Sequence, residues 1–125
     1  MTIKEVSEMY GLSQDTLRYY ERIGLIPTIN RSKGGKRDYT EEDCKWIEFI
    51  KCMRGAGLPI EALIEYVTLF KQGDETIGAR KEILIEQRKV LMEKMEDIKK
   101  TIERLDFKIE MYDNKFVKKE QELIR

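Results

Sequence analysis

The chemistry open to this chain lies in three groups of side chains. The first is in Ser13-Gln-Asp-Thr-Leu-Arg-Tyr-Tyr-Glu-Arg-Ile-Gly-Leu-Ile26. There Asp15, Arg18, Tyr19 and Arg22 recur at i, i+3, i+4 and i+7 and share one side of a helix. A guanidinium on that side can fork onto guanine edges or a phosphate, and a phenol can bond a phosphate oxygen, so the surface suits a DNA major groove. The second group is Arg31, Lys33, Lys36 and Arg37, with no acidic residue from Thr28 to Arg37. They surround Gly34-Gly35, which permits a tight hairpin, and such a basic wing would hold phosphates beside the groove. The third group is the thiols Cys44 and Cys52. Eight residues apart on one helix means about 12 Å of rise, beyond the roughly 7 Å between Cα atoms that an unstrained disulfide tolerates. Both are expected as free thiols.

The elements that position these groups carry their own signals. Thr2 and Glu5 have capping-box spacing, so a helix should start near Ile3, carry Ile3, Val6 and Met9 on one face, and end at Gly11. Ser13 is an N-cap for the next helix, whose Leu17 and Tyr20 point one way with Gln14. The pair is a helix-turn-helix over about residues 3–22, with the wing at about 28–39. Thr40 followed by Glu41, Glu42 and Asp43 starts a third helix with the stripe Trp46, Phe49, Ile50 and Met53. Gly55 or Gly57 can end it, and Ile60, Leu63, Ile64 and Val67 mark a fourth. On the third helix Cys44 falls almost opposite the stripe, among carboxylates. Cys52 falls on its flank beside Lys51, with Arg54 close by. Nearby cations favour the Cys52 thiolate, while the helix C-terminus and partial burial oppose it, so the residues alone leave its reactivity open.

Ile77, Leu84, Leu91, Ile98, Leu105 and Tyr112 then repeat every seven residues, and Met95, Ile102, Ile109 and Phe116 form a second series four residues out of step. A helix over about 76–116 would be roughly 60 Å long and could not bury its own stripe, so a coiled-coil homodimer is expected. Its seam is Leu84, Leu91, Met95, Ile98, Ile102, Leu105, Ile109 and Tyr112. Lys81 and Arg88 hold the early positions of the second series, so that end of the rod is expected to meet something else. The implied division is a DNA-binding domain at 1–72 and a dimerisation helix with a short tail at 73–125.

In a chain of 125 residues, 24 basic and 24 acidic side chains cancel, so DNA binding must rest on local concentration of charge. No run approaches the roughly 20 apolar residues of a membrane span, and no basic segment leads into an apolar one at the start, so a cytoplasmic protein with reduced thiols is expected. There is no histidine, which leaves no imidazole base for an enzyme using Cys52 as nucleophile. With two cysteines and no histidine, no metal site or other cofactor is expected.

Thr16-Leu-Arg-Tyr-Tyr-Glu-Arg-Ile-Gly-Leu-Ile26, then Arg37-Asp-Tyr39 before an acidic helix start, then Gly57-Leu-Pro-Ile-Glu61, resembles the MerR family of bacterial transcriptional regulators. Pro59 departs from the polar N-cap type common there. The resemblance implies a mostly α fold, a winged helix-turn-helix head with a small β wing and a long antiparallel coiled-coil helix. The DNA-contacting set is then Gln14, Asp15, Thr16, Arg18, Tyr19, Tyr20, Arg22, Arg31, Lys33, Lys36, Arg37 and Tyr39. Trp46-Ile-Glu-Phe-Ile-Lys-Cys-Met-Arg54 is similar to the aldehyde- and electrophile-responsive branch, implying that Cys52 is the sensor. The cysteines of metal-sensing and cluster-binding relatives are absent, as is the large drug-binding domain of multidrug sensors. The family mechanism implies an activator on a palindromic promoter, distorting an overlong spacer so that RNA polymerase holoenzyme engages both promoter elements. The alternatives are an architectural DNA-bending protein and a regulator answering a non-covalent ligand.

Overall fold

The computed structural model describes residues 1–116, and the tail expected at 117–125 lies outside the described residues. Five helices follow in order: α1 (Ile3–Tyr10), α2 (Gln14–Arg22), α3 (Glu41–Gly55), α4 (Ile60–Gln72) and α5 (Ile77–Met111). Local chemistry sets most of their ends. The Glu5 amide donates to Thr2 Oγ1 at 3.2 Å and the Thr2 amide to Glu5 Oε1 at 3.0 Å, so the capping box forms. These bonds stabilise the charged carboxylate and hold Glu5 below its ordinary pKa. Gly11 closes α1 at φ 65, a left-handed conformation that favours glycine. Ser13 caps α2 through the Thr16 amide at 3.0 Å, and Thr40 and Asp43 form a second capping box on α3. Pro59 occupies the N-cap of α4 without a side-chain bond.

The chain divides into two compact units, residues 1–87 and residues from 88 onward. In the first, α1 packs against both α2 and α3. Val6, Leu17, Leu25, Ile26, Ile47, Ile50, Leu63 and Val67 are essentially inaccessible. Each such side chain contributes about 1.5 to 3 kcal/mol relative to exposure. Leu25 and Ile26, just past α2, and Ile29 bring the approach to the wing into this core.

One expectation about α3 is corrected. Its buried face is Cys44, Ile47 and Ile50, not the stripe Trp46, Phe49, Ile50 and Met53. Trp46 and Phe49 are half-buried and meet Tyr66 and Phe70 of α4, with the Trp46 and Phe70 ring centroids 4.8 Å apart. The helix is covered on two sides by different neighbours, so no single stripe describes it. Cys44, placed opposite the apolar residues by its sequence position, is therefore a core residue.

The hairpin at 28–39 is short. Arg31 and Arg37 form an antiparallel bridge, the Ser32 amide donates to Lys36 O at 2.7 Å, and Gly35 turns the chain at φ 78. α5 runs unbroken for 35 residues, about 52 Å at 1.5 Å per residue, and a wider helical turn at Tyr112–Phe116 follows. Leu84, Met95, Ile98, Ile102, Leu105, Ile109 and Tyr112 are 37% to 60% exposed.

Candidate nucleic-acid interface

Leu17 anchors α2 from below, with Tyr20 half-buried beside it, and this turns Asp15, Arg18, Tyr19 and Arg22 outward. The outward side chains hold one another in place. Arg18 donates to Asp15 Oδ1 at 3.1 Å and to Gln14 Oε1 at 3.4 Å. Arg22 lies 5.4 Å from the centre of the Tyr19 ring, a cation–π distance. Gln14 thus works with Arg18, four residues on, although its sequence position grouped it with Leu17 and Tyr20. Thr16 is tied to the start of the helix, its Oγ1 accepting from Ser13 Oγ at 2.8 Å. Asp15 is the one carboxylate on this side, and its pairing with Arg18 offsets the repulsion it would exert on a phosphate.

On the hairpin, Arg31, Lys33 and Lys36 are exposed, and Arg31 also donates to Gly35 O at 2.9 Å, which steadies the turn. Arg37 differs. Its Nε donates to Glu21 Oε1 at 2.7 Å, and the two side chains are only 21% and 12% exposed. Glu21 Oε2 also accepts from the Ile29 amide at 3.2 Å. One carboxylate therefore fastens the wing and the segment leading into it to the last turn of α2. Sequence reasoning missed Glu21, whose only signal was a lone acidic residue between Tyr20 and Arg22.

Tyr39 was expected in the DNA-contacting set, and the structure corrects this. It is 2% exposed, its amide donates to Met1 O at 2.8 Å, and its ring belongs to the core. A ring so enclosed cannot reach a phosphate. Its hydroxyl has no hydrogen-bond partner, and burial raises its pKa by disfavouring the phenolate. Since an unsatisfied buried hydroxyl is costly, Tyr39→Phe is expected to raise stability by about 1 kcal/mol in urea denaturation and leave DNA affinity unchanged. A loss of stability would show that the hydroxyl is satisfied in solution.

The thiols differ in access. Cys44 is 7% exposed, with Sγ 4.0 Å from Met1 Sδ, and lies against Tyr10, whose pKa is raised by burial first and by Cys44 next. Cys52 is exposed and free. The two cations that its sequence neighbourhood offered are engaged elsewhere. Lys51 Nζ donates to Tyr10 O at the end of α1, and Arg54 Nη1 to Leu58 O at 2.7 Å. What distinguishes Cys52 is access rather than a cationic surrounding. Lys51 meanwhile links the helix carrying Cys52 directly to the end of α1.

The chain matches MerR HTH family regulatory proteins over residues 1–69 and the MerR, DNA binding family over residues 45–106. It is 62% identical over 93 residues to the HTH-type transcriptional regulator AdhR of Bacillus subtilis, a match covering 74% of this chain and 66% of that protein, just under two thirds of its length. It is 30% identical to the mercuric resistance operon regulatory protein of Bacillus cereus, over 82% of this chain and 77% of that one. Its structure is similar to that of a Listeria monocytogenes protein described as a MerR family transcriptional regulator, with TM-score 0.92, 49% identity, and 98% and 93% of the two chains covered. It is also similar to HiNmlR, a MerR family regulator lacking the sensor domain, bound to promoter DNA, with TM-score 0.81, 27% identity, and 90% and 89% covered.

Proposed function

Because the chain belongs to the MerR family of helix-turn-helix transcriptional regulators, we propose that it is a cytoplasmic homodimer that activates a promoter when a thiol-reactive electrophile, such as an aldehyde, modifies Cys52. The observation that carries the DNA-binding part is the outward side of α2, with Arg18, Tyr19 and Arg22 held in place beside a hairpin bearing Arg31, Lys33 and Lys36. α2 enters the major groove, and the hairpin holds phosphates at its edge. Two copies pair antiparallel through α5, so the operator is palindromic. The activated dimer distorts an overlong promoter spacer and lets RNA polymerase holoenzyme engage both promoter elements.

For sensing, the supporting facts are the exposure of Cys52 and the neighbouring Lys51 link to Tyr10. An adduct on Cys52 adds volume beside the residue that joins α3 to the helix-turn-helix. Displacing that link need shift the balance between two arrangements of the head by only about 1 to 3 kcal/mol, the range of a coupling free energy between two sites. Cys52→Ser is expected to keep promoter binding and lose aldehyde-induced transcription from a reporter. Cys44→Ala, at a buried position, is expected to retain induction. Full induction of Cys52→Ser would move the trigger elsewhere, to a non-covalent ligand.

A further inference from the structure

Beside the recognition helix lies a groove of about 520 Å³ whose lining includes Lys4, Arg18, Arg31, Lys36 and Arg37. Three separate elements, the start of α1, the middle of α2 and the hairpin, supply five cations to it, and no carboxylate lines it. These cations are not equally available. Arg18 is paired with Asp15, Arg31 donates to Gly35 O, and Arg37 is fastened to Glu21. Lys4 and Lys36 are exposed, and neither has an intrachain ion pair or hydrogen-bond acceptor among the described residues. Lys4 stands on α1, outside both the recognition helix and the wing. A concave surface that gathers like charges from three elements stores repulsion, which an anion seated in it relieves.

We propose that this groove is a seat for a backbone phosphodiester of duplex DNA, and that Lys4 from α1 and Lys36 from the hairpin are the cations that hold it. The inference rests on the DNA-binding reading above and extends the contact surface to α1. The seat reads no base, so Lys4 contributes affinity and register without sequence preference. Its position beside Arg18 fixes how α2 is turned in the groove, because a phosphate held between α1 and the hairpin leaves one orientation for the helix between them.

The test is fluorescence anisotropy of the full chain with a labelled mixed-sequence duplex across a salt titration. Each lost phosphate contact reduces the slope of log affinity against log salt by about 0.9. Lys4→Ala and Lys36→Ala are each expected to lower the slope by about that amount, so that between about 50 and 200 mM salt their affinity falls roughly 3.5-fold less than that of the wild type. Both positions are exposed, and thermal melts of the variants should match the wild type. Lys45→Ala, which removes the same charge from a different surface of α3, is the control and is expected to leave the slope unchanged. If Lys4→Ala keeps the wild-type slope while Lys36→Ala lowers it, the seat is wrong and the wing stands. If Lys45→Ala lowers the slope as much as Lys4→Ala, the effect is one of net charge and the seat is likewise wrong. If the wild-type chain fails to bind the duplex at low salt, the DNA-binding reading itself fails.

Discussion

Leu105→Glu is expected to convert the proposed dimer into monomers at micromolar concentration, with the mass seen by light scattering falling by half. Leu105 is 57% exposed on the single chain and stands in the seven-residue series with Leu91 and Ile98. In the paired state it would be enclosed, and a twofold assembly would bury the new carboxylate twice. An unpaired charge enclosed in such a seam costs several kcal/mol. The head would keep its fold, since Leu105 lies in the unit from residue 88 onward and the core described above lies in residues 1–87. Operator affinity should drop with dimerisation, because two half-sites can be held together only by two joined heads. A variant that remains dimeric and bound would show that α5 is not the principal interface.

Glu21→Ala should have the next largest effect, and it acts inside one head. The substitution leaves the Arg37 guanidinium and the Ile29 amide without their acceptors, at positions where water reaches poorly. Removing one member of a part-buried, charge-assisted pair is expected to cost about 2 to 4 kcal/mol in denaturant unfolding. Glu21→Gln keeps an acceptor for the Ile29 amide and removes the charge, so its loss should be smaller. DNA affinity should fall in both variants, although Glu21 itself is an acid that no phosphate would attract. Unchanged stability in Glu21→Ala would mean that the hairpin is held by its backbone alone.

Legibility in the sequence follows the range of the interaction. The helix starts were readable because Thr2 with Glu5, Ser13, and Thr40 with Asp43 satisfy orphan amides within one turn. The left-handed Gly11 was readable for the same reason. The burial of Cys44 was not, because periodicity finds one apolar face and α3 is covered on two. Tyr39 shows the limit of a motif, which reports that a residue is present and not where its side chain points. The pairing of Glu21 with Arg37 spans sixteen residues, and no local spacing announces it. Lys4 was invisible as a candidate because it joins Arg18 and Lys36 only once α1 is folded against α2.

The unequal access of the two thiols has a practical consequence. A chromogenic thiol reagent should titrate one equivalent quickly, at Cys52, and a second only as fast as the head opens to uncover Cys44. The slow phase is then a clock for native-state opening, read without denaturant. Ligands that bind the folded head should slow it in proportion to their affinity, so the chain carries a built-in binding assay whose signal does not depend on transcription.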